Sequence, residues 1–182
     1  MLLLYAPGAR GKPCDPIIGQ TRLMKMVFLF QQELFKKFSF DESIDEKAFP
    51  DFEPFSYGPY AGQIYADLEF LVNYQFVDVD KGDGSEASEE ERQEFDYWSA
   101  TEDAGEEVDV ARLGRAFRLS ERGKDFISKT ELWSRLSDKQ QAALSEFKKR
   151  CTATTLRSLL RYVYSKYPNM TKKSLIKDEI LD

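Results

Sequence analysis

Residues 52–80 have the sequence FEPFSYGPYAGQIYADLEFLVNYQFVDVD, and the changes of period within this stretch decide the fold. Its first part alternates aromatic and polar residues up to Gly58-Pro59, a dipeptide that predicts a turn. Apolar residues then recur at helical spacing over 60–74, which predicts a helix with one buried face. Residues 77–80 alternate valine with aspartate, as is typical of the start of a strand.

A turn, a helix and a strand that enters a hairpin are the central parts of a winged helix-turn-helix, in which this helix would be the recognition helix and the hairpin the wing. Further strands are predicted at 95–100 and 117–120. The predicted fold class is α+β and mostly helical, with a winged helix-turn-helix-like core, a small antiparallel wing sheet and appended C-terminal helices.

The remaining helices are predicted from periodicity and caps. Thr21 is expected to cap a central core helix, and Ser120 a helix whose start Gly123 weakens. Ser137 and Gln140 form a capping box, and Thr171 is expected to cap a last helix. Between them lies an apolar stripe with helical spacing, formed by Leu156, Leu159, Leu160, Val163 and Tyr167.

Length and composition predict a single domain over 1–182. Residues 1–130 would form the winged-helix-like core, with an acidic loop at 81–94, and 131–182 a C-terminal helical extension. The two cysteines lack metal-ligand spacing, and the apolar opening lacks the basic region of a signal peptide. A cytoplasmic protein with no membrane contact is expected.

The quoted stretch, together with GQTRLMKMVFLFQ, FRLSERGKDFI and LRYVYSKYP, resembles the YwgA-type family of bacteria and archaea. More loosely, the chain is similar to the Panacea (SocA-type) antitoxin domain. The YwgA resemblance implies a winged-helix-like domain. The Panacea resemblance implies that the protein neutralises a toxin by direct contact.

The composition argues against an enzyme. The chain has no histidine, the commonest general base and metal ligand. Its cysteines therefore lack the partner that would make a thiolate nucleophile. No glycine-rich nucleotide fingerprint follows a strand. We expect neither catalysis nor a cofactor or metal.

Charge is distributed unevenly along the chain. Between residues 48 and 80 there is no lysine or arginine, and residues 78–109 hold fourteen acidic residues against two basic ones. Residues 148–177, in contrast, hold nine basic residues and no acid. An acidic recognition helix is poorly suited to DNA, because phosphate contacts depend on cations.

The sequence therefore favours a non-catalytic module that acts by protein–protein contact, for example an antitoxin-like subunit or a regulatory subunit of a defence or stress complex. The predicted partner-binding residues are Tyr57, Tyr60, Gln63, Asp67, Phe70 and Tyr74. Phe70 and Tyr74 could instead belong to the core. The alternative is a transcriptional regulator that reaches DNA through the basic C-terminal third, or as a homodimer. The predicted residues of that face, which could equally meet an acidic partner or be a solvated surface, are Arg157, Arg161, Lys166, Lys172 and Lys173.

Overall fold

The computed structural model describes residues 1–80 and 115–182, which form an α+β fold that is mostly helical and carries small antiparallel sheets. The strands and helices, in chain order, are α1 (Leu2–Tyr5), β1 (Ile17–Ile18), α2 (Gln20–Leu29), β2 (Glu53–Phe55), β3 (Gly58–Tyr60), α3 (Gly62–Asn73), β4 (Val77–Asp80), β5 (Ala116–Leu119), α4 (Glu121–Lys129), α5 (Asp138–Ala153), α6 (Leu156–Lys166) and α7 (Lys177–Leu181). A π-helical segment, Phe30–Leu34, continues α2. Short 3-10 turns lie at Phe40–Glu42, Glu46–Ala48 and Pro168–Thr171.

The larger sheet has the strand order β1-β5-β4. Val77 pairs with Leu119, and Ile17 pairs with Phe117 on the other side of β5. Strands β2 and β3 form a separate two-stranded hairpin, in which Phe55 pairs with Gly58. Strand β5 therefore lies in the centre of the larger sheet and connects the N-terminal strand to β4.

Helices α2 and α6 lie at the centre of the apolar core. Met26 and Phe28 of α2 are fully buried, as are Leu160 and Val163 of α6. These side chains belong to one cluster with the sheet residue Phe117. The Ser137–Gln140 capping box is confirmed, and so is the α6 stripe from Leu156 to Val163. Tyr167, the last residue of the predicted stripe, follows the helix and is half-buried. No described helix is both long and apolar enough to cross a membrane.

Several predicted boundaries were wrong. Helix α2 begins after Gly19, whose φ of 90° suits glycine, and Thr21 lies buried inside the helix instead of capping it. The last helix follows Ile176, while Thr171 ends a 3-10 turn. The strand predicted at 95–100 and the acidic loop at 81–94 lie outside the described residues.

The hairpin before α3 was also mispredicted. Gly58 and Pro59 lie in strand β3, and the turn is formed by the two residues before them, Ser56 and Tyr57. Helix α3 accordingly begins at Gly62, two residues later than its apolar spacing suggested. Gly58 has a φ of 86°, a left-handed conformation that glycine adopts without steric cost.

Candidate functional site

Helix α3 packs against the rest of the fold through only a few of its residues. Only Ile64 and Leu68 of its twelve residues are buried, while Tyr65, Leu71 and Val72 are half-buried. Most of the circumference of the helix therefore faces solvent. Helix α2, by comparison, has seven of its ten residues buried.

The exposed side of α3 carries two large rings. Phe70 is 53% exposed and Tyr74 is 54% exposed. Their ring centroids are 4.4 Å apart, with an angle of 34° between the ring planes. The two residues are four positions apart, the spacing at which side chains on a helix meet. They form one continuous aromatic surface, and neither belongs to the core.

Polar residues continue this surface toward the N-terminus of α3. Gln63 Nε2 donates a hydrogen bond to Asp67 Oδ1 over 2.6 Å, and both residues are exposed. The amide thereby orients the carboxylate. Because Asp67 precedes Phe70 by three positions, it lies on the same side of the helix as the rings. We call Gln63, Asp67, Phe70 and Tyr74 the α3 face.

The two other residues predicted for this site lie elsewhere. Tyr57 is only 6% exposed and belongs to the main apolar cluster, so it is not part of the exposed surface of α3. The turn at Ser56 and Tyr57 directs this ring inward. Tyr60 is half-buried and stacks on Phe55 with a centroid distance of 4.9 Å, which makes it part of the hairpin next to α3.

The α3 face is acidic. Six acidic residues and no basic ones lie between positions 48 and 80. The basic residue that contacts the start of this region, Lys25, is buried and donates to the carbonyl oxygen of Pro59 over 3.0 Å. Arg118, on the neighbouring strand β5, forms ion pairs with Asp78 and Asp80. These two cations are thus occupied within the fold.

Some residues of the predicted basic face in the C-terminal third form hydrogen bonds within the fold, and others are exposed. Arg157 Nη2 donates to the carbonyl oxygen of Glu179 over 2.5 Å, and Arg161 Nε donates to that of Ile180 over 2.9 Å. Cations at this position suit the carbonyl end of α7. Both guanidinium groups therefore fix the last helix onto α6, whereas Lys172 and Lys173 are exposed.

Lys166 belongs to a cluster that the sequence did not predict. Glu33 Oε1 accepts hydrogen bonds from Lys166 Nζ (3.0 Å), Tyr162 Oη (2.9 Å) and Tyr167 Oη (2.9 Å). Hydrogen bonds to Tyr162 and Glu33 raise the pKa of Lys166 well above its usual range. Glu33 precedes these partners by at least 129 residues, so no local pattern could have indicated the cluster.

A groove of about 550 Å³ lies between the π-helical segment, α5 and α6. Its floor includes Leu34, Cys151 and Leu159, all buried. Burial raises the pKa of the Cys151 thiol to about 12, which makes it a poor nucleophile. On the rim, Glu146 and Arg150 pair with each other over 2.8 Å.

Metal binding receives no support from the described part of the chain. Within residues 1–80 and 115–182, no three His, Cys, Asp or Glu side chains come together as metal ligands would. Comparison of the chain with protein-family models, with curated proteins and with solved structures found no match.

Proposed function

We propose that this protein is a non-catalytic winged-helix module that acts by binding a protein partner through the α3 face. The observation that carries the proposal is the exposed Phe70–Tyr74 ring pair on an otherwise polar helix. Aromatic side chains are enriched in the energetic centres of protein interfaces. The resemblance to the Panacea domain favours a toxin or a subunit of a defence complex as that partner.

The order of the elements supports a winged-helix core. A strand, β1, precedes helices α2 and α3, and the antiparallel strands β4 and β5 follow them. The first strand pairs with the last, which gives the order β1-β5-β4. In this proposal α3 takes the place of the recognition helix. The β2–β3 hairpin and two 3-10 turns stand between α2 and α3, where a helix-turn-helix has a short turn.

The charge of α3 favours a protein over a nucleic acid. A recognition helix that enters a DNA groove needs cations on or beside it, because phosphate neutralisation supplies most of the affinity. Helix α3 carries Asp67 and Glu69 and no basic residue. In the C-terminal third, Arg157 and Arg161 are already bonded to α7 carbonyls. This engagement makes the DNA-binding alternative the weaker of the two.

Site-specific photo-crosslinking tests the proposal. A photoreactive benzoylphenylalanine replaces Phe70 in cells that naturally make the protein, and the adducts are identified by mass spectrometry. We expect one discrete protein adduct, whose yield falls sharply when Tyr74 is also changed to alanine. The matched control places the same group at Leu175, which is 62% exposed and lies outside α3.

Two results would contradict the proposal. If positions 70 and 175 gave the same set of adducts, the α3 face would have no specific partner. If the adduct contained nucleic acid, the regulator alternative would replace a protein-binding function.

A further inference from the structure

We propose that the α3 face recognises an arginine side chain in a cationic segment of the partner, which stacks on the Phe70–Tyr74 rings and forms an ion pair with Asp67. This inference rests on the proposed function and names the chemistry of the partner. The α3 face combines an oriented carboxylate with an adjoining aromatic surface. Those are the two groups that a planar cation uses together.

The first argument is the placement of these groups. Asp67 and Phe70 are three positions apart on α3, and Phe70 and Tyr74 are four apart, so consecutive members of the set are neighbours on one side of the helix. The centroids of the two rings are already 4.4 Å apart in the absence of a partner. Gln63 holds the carboxylate through its hydrogen bond to Oδ1. Little ordering is then required when a cation binds.

The second argument is the identity of the bound group. A guanidinium is planar, stacks on aromatic rings and donates hydrogen bonds to a carboxylate at the same time. An aliphatic side chain would form no ion pair with Asp67, and an acidic one would be repelled by it. A lysine ammonium would satisfy the charge but does not stack through a planar face. Arginine is therefore the side chain that can contact both the rings and the carboxylate of the α3 face.

The third argument concerns a second copy of the same chain. A two-fold dimer through α3 would place the same surface on both sides of the interface. Asp67 would then lie near its own counterpart, and like charges at an interface are unfavourable. A cationic segment of a different protein removes this repulsion, which is why we assign the face to such a partner.

Fluorescence anisotropy tests the inference on the full chain. The probe is a labelled nine-residue peptide with three arginines, and its control has citrulline, which is uncharged and nearly isosteric, at the same positions. We expect saturable binding of the arginine peptide and loss of binding by the citrulline peptide. A peptide with three lysines should bind less tightly than the arginine peptide.

Two variants locate the contact. Asp67→Asn and Phe70→Ala should each weaken binding of the arginine peptide by about fivefold, the effect of one ion pair or one cation–π contact. The matched controls Asp138→Asn, at an exposed aspartate on α5, and Leu175→Ala should leave the affinity unchanged within about twofold. A thermal melt of each variant checks that the fold is intact, as expected for exposed side chains.

Other outcomes overturn the inference in distinct ways. Equal binding by all variants would mean diffuse attraction between a basic peptide and an acidic protein. Self-association that Asp67→Asn strengthens would assign the face to a second copy of the chain. If the crosslink at position 70 captures a protein while the peptide test fails, the proposed function stands and the inference of an arginine-binding face fails. If the peptide test succeeds but no crosslink forms, the face binds arginine and the proposed function fails.

Discussion

Gly58 lies directly against the ring of Tyr164. A Cβ atom built on Gly58 would stand 2.9 Å from Tyr164 Cε1, which is closer than a real Cβ approaches a neighbour. Tyr164 is 1% exposed, and its hydroxyl is 2.9 Å from Ser174 Oγ. Gly58 thus allows the hairpin to dock closely on α6.

Changing Gly58 to alanine should therefore destabilise the protein. The new side chain would be forced into a left-handed conformation and would collide with a buried ring, and we expect a loss of about 2–4 kcal/mol. Chemical denaturation measures it. Gly11→Ala is the matched control: Gly11 has a φ of 70°, but its added Cβ would have no atom within 4 Å. A loss of only about 1 kcal/mol is expected there, and equal losses in the two variants would show that the Tyr164 contact is unimportant.

Gly123→Ala should destabilise the protein although alanine is the better helix former. A Cβ on Gly123 would overlap the carbonyl oxygen of Phe76, a backbone atom that cannot rotate away. We expect a net loss of about 2 kcal/mol in the free energy of unfolding. Ser128→Ala, at an exposed position of the same helix, should instead be neutral or stabilise by up to about 0.5 kcal/mol. A stabilised Gly123 variant would mean that α4 does not pack closely against the end of α3.

Leu160→Ala should cost about 2–4 kcal/mol, because it creates a cavity in the centre of the core. Leu160 is fully buried in the same cluster as Met26 and Phe117. Equilibrium denaturation gives the value, and Leu175→Ala provides a leucine truncation at the surface, with an expected change below about 0.5 kcal/mol. A loss below about 1 kcal/mol at Leu160 would show that α6 is peripheral to the fold.

The buried Lys148 should make the stability depend on pH. Burial lowers the pKa of Lys148 from 10.5 to about 8, against the attraction of Asp15. Between these two values the unfolded chain binds the proton that the folded chain has lost, so stability from this group rises with pH. The contribution of Lys148 to stability is fully present above pH 10.5 and is lost as the pH falls through 8.

Comparison with Lys148→Met isolates the effect. The difference in the free energy of unfolding, wild type minus variant, should increase between pH 8 and pH 10.5. Lys149→Met, at the exposed lysine that follows on α5, corrects for general changes in charge. A difference that stayed constant across this range would show that Lys148 keeps its proton in the fold.

The sequence predicted the elements whose causes are local. The α6 stripe and the Ser137–Gln140 capping box depend on residues within one or two turns, and both are present. The spacing of Phe70 and Tyr74 placed them on the same side of a helix. Their exposure could not be deduced, because it depends on which other elements cover α3.

Other features depend on partners that are distant in the chain. Lys25 and Lys148 are buried, contrary to the strong preference of lysine for the surface, and each is satisfied by backbone carbonyls far away in the chain. Arg157 and Arg161 looked like a surface for a ligand, yet they bind the end of α7. Tyr57 turned inward because the hairpin turn falls at a position that the Gly-Pro dipeptide did not indicate.

Lys148 also has a consequence for how the protein is made. Its ammonium group donates to the carbonyl oxygens of Leu4, Ala6 and Asp15, which precede it by 144, 142 and 133 residues. A ribosome adds about 5–20 residues per second, so these carbonyls wait on the order of ten seconds for their donor. During synthesis these three carbonyl oxygens lack the Lys148 donor until α5 has emerged. The hydrogen bonds that join the N-terminal segment to α5 can therefore form only late in synthesis.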